Sequence, residues 1–331
     1  MIVDLLPNEE QSLIVASLSG WLMRALPVER LHTPDNLGGK AEVGIWPQFV
    51  ELGLVGLGLD ADQGGVGYSL IEEALAAREL GRNLVSLTTI ATMAAVHVAI
   101  AAGRQEVAAA LIAGQSRATC ANALGSLSGG AAEVQILDGH KADFALAWDR
   151  EGCVLAPLDP LATWRRVTSI DDAVTIDRGE LALAGAMRAD AGVADRIVLM
   201  LAAYQSGIAT ATRDMAVTYA KVREQFGQPI GAFQGIKFAC ADMAVREEAA
   251  FAQIFYATVT QQAAGGVSPV DLGSARLLAN QAAIENAKAN VQTHGAMGFT
   301  FECDAHFYLK RANLVAALNG SRSGDQAAIL S

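Results

Sequence analysis

Apolar residues recur at helical spacing toward both ends of this chain and at strand-like spacing in its middle. From Asn8 the stretch EEQSLIVASLSGWLMRAL reads as an amphipathic helix to about Leu26, with Asn8 as its cap and Glu9 and Glu10 in the first turn. Positions 46–52 predict a short helix, and Ser69 caps another that runs through Leu80 and stops at Gly81-Arg82-Asn83. Helical texture continues over 85–102 and 105–112. From about Ser116 to Met187 it gives way to short apolar runs (AEVQIL, DFALAW, CVLAPL, AVTIDR, ELALAG) punctuated by Asp-Gly, Asp-Pro and Arg-Gly pairs, which are strand and turn signals. Asp138-Gly139 and the segment 149–152 are the expected hairpin turns. After Ala191 four helices are expected, at about 192–224, 234–263, 269–290 and 302–318. The order is therefore helical to residue 115, short β over 116–190, and helical over 191–331.

Composition sharpens this outline. Hydrophobic residues make up 52% of the 331 and charged ones 18%, with 6% aromatic, and the apolar excess is mostly Ala and Leu. That balance suits tightly packed helices in a soluble oligomer, with some apolar surface covered by partners. No window approaches about 18 uninterrupted apolar residues, so no membrane span is expected. The start, MIVDLLPNEEQS, is acidic and lacks the pattern of a signal peptide. A formal charge of −11 argues against nucleic acid as a partner, though not against CoA, which needs only a few local cations. Cys120, Cys153, Cys240 and Cys303 show no CxxC spacing. The expectation is free thiols in a reducing cytoplasm, with no metal site and no disulfide framework.

Two strings carry candidate chemistry: YAKVREQFGQPI at 219–230 and QTHGAMGF at 292–299. Arg223 sits near a helix end beside a turn built on Gly227 and Pro229. Its fork matches pyrophosphate oxygens, while the plainer reading is a cation complementing a helix C-terminus. Gly295 and Gly298 let a chain pass close to a ligand, and His294 reads as a structural hydrogen-bonding group. Gly64-Gly65-Val66-Gly67 lacks the strand and helix context of a phosphate loop and reads as a structural turn. The Lys310-Arg311 pair reads as a solvated helix face.

Together the two strings resemble the adenosine-pyrophosphate segments of the FAD-dependent acyl-CoA dehydrogenase family, and WPQFVELGLVGLGLDADQGGVGYSLIEEALAARELGR at 46–82 is similar to that family's N-terminal domain. The resemblance implies an N-terminal helical domain (1–115), a reduced middle β-barrel (116–190) and a C-terminal four-helix bundle (191–331). It implies that Arg223, Gln225 and Phe226 contact FAD, as do Gln292 and Gly295, usually in a neighbouring subunit's site. Ala296 stands where the family commonly has a second glycine.

The family's base occupies one of two places. At the first, the closest match is Leu318-Asn319-Gly320-Ser321, and an Asn amide has no useful basicity. At the second stands Asp195, followed by Arg196, which matches an arginine near the acyl-CoA pocket. Asp195 is one methylene shorter than the usual glutamate, a shortfall of about 1.5 Å. A helix first-turn aspartate is the alternative for it. The stretch CANALGSLSGGAAEVQILDGHKADFALAW lacks the Glu-Pro turn and the Trp-Ile-Thr segment that bond the flavin ring. Ser126, Ser128, Gly129 and Gly130 read as an anion nest or as a flexible loop.

The expected function is acyl-CoA α,β-desaturation, with this chain as the shorter subunit of a heteromeric, tetrameric enzyme, resembling the two-subunit bacterial members that act on steroid or other bulky thioesters. A longer dehydrogenase subunit, an acyl-CoA substrate and an electron-transferring flavoprotein are the implied partners. The alternatives are a homotetramer with Asp195 as base and a flavin-free scaffold.

Overall fold

A computed structural model describes residues 5–159, 162–264, 266–318 and 329. The first helical layer holds α1 (Glu9–Ala25), α2 (Lys40–Gly44), α3 (Trp46–Glu51), α4 (Leu70–Arg82), α5 (Leu87–Ala101) and α6 (Gln105–Ile112). Asn8 and Ser69 both build capping boxes, with Gln11 and Glu72 as the reciprocal partners. Gln11 then donates to Glu72 at 2.7 Å, so the caps of α1 and α4 bond to each other. Ser86 caps α5. The short helix α2 carries no sequence signal strong enough to have been expected.

The middle of the chain forms β1 (Ala118–Ala123), β2 (Ala131–Leu137), β3 (Phe144–Trp148), β4 (Gly152–Pro157), β5 (Arg165–Val167), β6 (Ile176–Ala182) and β7 (Met187–Asp190). They make one mixed sheet in the order β5-β6-β2-β1-β3-β4-β7. Alternation along β3 sends Ala145 and Ala147 to a core shared with Val134, Ile136 and Leu181 of β2 and β6, while Leu146 and Trp148 face the helices. The two halves of the sheet therefore face each other across a core rich in alanine, which keeps this layer thin. Among the described residues β5 and β7 are not paired, so the barrel stays open on that side.

The segment 149–152 joins antiparallel β3 and β4 as a hairpin. Asp138-Gly139 does not turn a hairpin: β3 pairs with β1, in parallel, and the segment from Asp138 crosses over to reach it. Asp138 does take a turn conformation (φ 49°), but its carboxylate is buried, accepting from Ser86 Oγ at 2.7 Å and Thr175 N at 2.9 Å. Those bonds tie the β2 end to the α5 cap and steer the chain away from β2.

The last layer is a bundle of α7 (Ala191–Val222), α8 (Gln234–Ala264), α9 (Pro269–His294) and α10 (Ala305–Ala316). Helix α4 crosses α7 with backbones in contact: a Cβ on Gly81 would overlap the Tyr204 carbonyl, and one on Gly207 the Arg78 carbonyl. Arg311 is 2% exposed rather than solvated. It donates to Asp171 at 2.5 Å, to Tyr204 at 2.7 Å and to the Leu84 carbonyl at 3.1 Å. Lys310, one helical step away, pairs with Asp172 at the surface. Neighbouring residues on a helix point about 100° apart, so a Lys-Arg pair need not share one environment.

Replacing Arg311 with Met would leave Asp171, itself fully buried, without its counter-charge. A loss of about 3–5 kcal/mol is expected in urea unfolding, against less than 1 kcal/mol for Lys310→Met.

Candidate functional site

After α7 the chain forms a hairpin of β8 (Glu224–Gln225) and β9 (Gln228–Pro229). Its two central residues, Phe226 (φ 51°) and Gly227 (φ 79°), both take positive φ, as a type I′ turn requires. Phe226 is 92% exposed, and its one ring contact among the described residues is the edge of Phe233, with centroids 6.1 Å apart. Gln225 donates to the Glu224 carbonyl at 2.8 Å. The Arg223 side chain is exposed and has no partner among the described residues.

Helix α9 runs past its expected end to His294 and stops at Gly295, whose φ of 61° and ψ of −137° suit only glycine. A Cβ built there meets nothing within 4 Å, so the backbone lies open to a ligand. Gln292 is exposed beside it. The short α7–α8 and α8–α9 connections make α7 and α9 parallel and bring their C-termini to one end of the bundle. There the Tyr219 and His294 rings stack with centroids 4.2 Å apart, and His294 Nδ1 bonds the Asn290 carbonyl at 2.9 Å. The two strings thus form one surface: a free guanidinium, an exposed aromatic ring and an open glycine. That donor set fits the adenosine-pyrophosphate half of a flavin dinucleotide.

The ring half does not fit. In the 124–130 loop, Ser126 and Ser128 hydroxyls bond each other at 2.7 Å, and Ser128 N donates to Ser126 Oγ at 3.1 Å. A hollow of about 220 Å³ beside Ser128 is bordered by Asp149 and Glu151. Arg188, on its wall, is held by the Leu127 carbonyl at 3.0 Å. The hydroxyls are used internally and two carboxylates border the space.

Asp195 lies near the start of α7, half-buried. Burial, and then repulsion from Asp190, pushes its carboxyl up to about 6. Arg196 is committed elsewhere: it pairs with Glu73 of α4, which also bonds His97 of α5 at 2.7 Å. Burial by itself would raise the fully buried Glu73 carboxyl, but the His97 and Arg196 charges and hydrogen bonds outweigh it and hold it below its ordinary value. Neither Glu73 nor His97 was singled out in the sequence. The available signals were an acid beyond the one used for capping in Glu72-Glu73 and a histidine inside the apolar helix LTTIATMAAVHVAIA. The expected Asn319 position lies outside the described residues. The four cysteines are free, and burial pushes Cys120 and Cys153 up to about 12. No cluster suited to a metal ion occurs among the described residues, and no described helix is long and apolar enough to cross a membrane.

Comparison with known proteins names the class. The acyl-CoA dehydrogenase N-terminal domain matches residues 8–115 and the C-terminal domain residues 195–324. The acyl-CoA dehydrogenase IpdE2 of Mycobacterium tuberculosis (strain ATCC 25618 / H37Rv) is 31% identical over 281 residues, covering 83% of this chain and 81% of that protein. This chain belongs to the acyl-CoA dehydrogenase family, whose members are FAD-dependent oxidoreductases. The same fold recurs in a variant of the Tcur3481-Tcur3483 steroid ACAD (TM-score 0.82, 19% identity, 97% of this chain and 96% of that one). It recurs also in the ChsE4-ChsE5 complex from Mycobacterium tuberculosis (TM-score 0.80, 18% identity, 99% and 97%).

The raised Asp195 carboxyl has a thermodynamic consequence. Its folded value of about 6 lies above the ordinary 3.8, so the folded state takes up a proton between them and gains stability as pH falls through 6. Discounted for its partial exposure, Asp195→Asn should raise Tm at pH 8 by about 2 °C. The gain should have largely gone by about pH 4, where the folded state is protonated and the unfolded state is becoming so, and should vanish below about pH 3. Calorimetry across that range checks it.

Proposed function

We propose that this chain is the shorter subunit of a heteromeric acyl-CoA dehydrogenase, built of domains 1–115, 116–190 and 191–331, that completes a flavin site held mainly by a longer subunit. Arg223, Gln225, Phe226, Gln292 and Gly295 would hold the adenosine-pyrophosphate end of FAD. When bound, FAD would accept the hydride from the β-carbon of an acyl-CoA thioester.

One observation carries this reading. The 28 positions from Asp195 to Arg223 lie along the single helix α7 and rise about 42 Å at about 1.5 Å each. That is well beyond the span of an extended flavin dinucleotide. A flavin whose adenosine lies on Arg223 would therefore have its reactive ring on another chain, either a second copy or a longer subunit. The acidic, self-bonded ring half of this chain supports the longer subunit.

The surface around the adenosine half supports a partner. Val222 (71%), Phe238 (64%), Val245 (69%), Phe299 (75%) and Phe301 (66%) are large apolar side chains left exposed in one chain, candidates for cover by a partner. The first half of α8 is exposed over most of its circumference, and its exposed apolar residues, Phe238 and Val245 among them, are interspersed with charged ones and not turned toward the core. A tetramer with the longer subunit, an electron-transferring flavoprotein as acceptor and a cytoplasmic location complete the proposal.

A second reading, a homotetramer with Asp195 as base and Arg196 beside the substrate, is favoured by the Asp195 carboxyl near 6, a value suited to proton abstraction near neutral pH. Purifying the chain alone and together with a longer dehydrogenase encoded beside it separates the two. Visible flavin absorbance is expected only in the co-purified enzyme. Stoichiometric flavin on the lone chain, bleached by acyl-CoA, would overturn the partner reading in favour of the homotetramer. No flavin in either preparation would favour a scaffold. In the assembled enzyme, Arg223→Ala should weaken FAD retention about tenfold or more, the usual cost of losing a charged hydrogen bond.

A further inference from the structure

A cleft of about 770 Å³ lies at the opposite end of β2 from the 124–130 loop, between the segment 34–40 and the β2, β5 and β6 region. It opens where β2 ends at Leu137, whereas the 124–130 loop precedes the other end of β2. The seven residues of that strand separate the two by about 20 Å. The walls are fixed. Gly38 N donates to the Ala173 carbonyl at 2.9 Å, and Gly38 sits so close that a Cβ would press on Thr175 at 2.8 Å. On the opposite wall, the Trp164 indole lies against Gly179, where a Cβ would meet the ring at 2.6 Å.

The floor is apolar, with Leu37, Ile136, Leu158 and Trp164. Four carboxylates also line the cleft, yet none is free. Asp143 accepts from Arg117 N at 2.9 Å, Asp177 takes a two-pronged pair from Arg166 at 2.6 and 3.1 Å, Asp172 pairs with Lys310, and Asp159 is also engaged. The uncommitted charged or titratable groups are basic. Lys40 and His140 line the same cleft, and neither side chain has a hydrogen bond or ion pair among the described residues. They are close neighbours: after burial, the charges of Lys141, Lys40 and Arg117 hold His140 below its ordinary value. Lys40, which has no counter-ion among the described residues, and His140, a neutral hydrogen-bond donor at pH 7, are collected at one end of a preformed hollow of ligand size with an apolar floor.

We propose that this cleft is a second ligand site, separate from the dehydrogenase site, for a medium-sized amphipathic anion: a carboxylate held by Lys40 and His140, with its apolar body on Leu37, Ile136, Leu158 and Trp164. An apolar floor gives the body its affinity, and the basic end gives the orientation. The inference is independent of whether the chain works alone or with a partner, because none of these residues belongs to the adenosine surface or to α7.

Calorimetric titration of the purified chain with decanoate, beside the neutral decan-1-ol, tests the site. One saturable site is expected, with decan-1-ol binding at least tenfold more weakly. The double variant Lys40→Glu/His140→Glu should weaken decanoate binding about tenfold or more without lowering Tm. Absence of saturable binding, equal binding of the alcohol, or an unchanged double variant would overturn the proposal. If the double variant loses its fold, Trp164→Phe decides. Decanoate should perturb tryptophan emission in the natural chain and not in that variant; a perturbation that survives would place the ligand elsewhere and overturn the assignment.

Discussion

Between α4 and α5 the chain turns through Arg82, Asn83, Leu84 and Val85, leaving four carbonyl groups inside the protein with no helix of their own to bond. Each one left bare would cost about 1–3 kcal/mol. All four are satisfied by side chains from elsewhere in the fold. Arg30 donates to Asn83 and Leu84 at 2.9 Å each, and Arg311 to Leu84 and Val85. Tyr204 donates to Val85 and Tyr308 to Arg82, both at 2.8 Å. The arginines are in turn neutralised by Glu42 and by Asp171, the latter from the loop before β6. Leu84, buried with φ of 49°, is held in a conformation a leucine seldom adopts. One short turn is thus where the first helical layer, the sheet and the bundle meet.

That junction sets the site. Because Tyr204 and Arg311 fix α7 and α10 against the α4–α5 turn, α7 crosses α4 at Gly81 and Gly207 with no freedom to slide. The same crossing brings Arg196 onto Glu73 and His97. Arg196 consequently serves the helix packing, and the N-terminal part of α7 near Asp195 is rigid. The C-terminal end of the same helix leaves the packed layers and carries Arg223 outward. A single rigid element therefore presents two separate chemical surfaces, one half-buried against the sheet and one open.

Most helices were legible because their signals are local: Asn8 with Gln11 and Ser69 with Glu72 are capping boxes readable from adjacent residues. The hairpin at 149–152 was legible for the same reason. Asp138-Gly139 misled because its turn chemistry is real, yet a buried carboxylate bonded to Ser86 and Thr175, 52 and 37 residues away, decides where the chain goes next. Arg311 misled similarly, since only the fold shows that its side of α10 faces the Leu84 carbonyl. Arg223, Gln225, Phe226, Gln292 and Gly295 are candidates readable from two strings, and the structure brings them to one end of the bundle. Glu73 and His97 were not, because a cluster drawn from three helices leaves no spacing pattern in any one of them.

Phe226 supplies the last step. A non-glycine residue at φ 51° costs about 1–2 kcal/mol, and an exposed phenyl ring loses the hydrophobic stabilisation that burial would give. Among the described residues the ring has one aromatic contact, the edge of Phe233, and stays 92% exposed, which offsets neither term. Asparagine or glycine at this position would form the same I′ turn without strain. The conformation serves instead to aim an aromatic ring away from the bundle, beside an unpaired guanidinium and an open glycine. A cost borne inside one chain, with no compensation inside that chain, is the physical signature of a contact made outside it. That uncompensated cost supports the proposal that this end of the bundle is completed by a cofactor and a second subunit together.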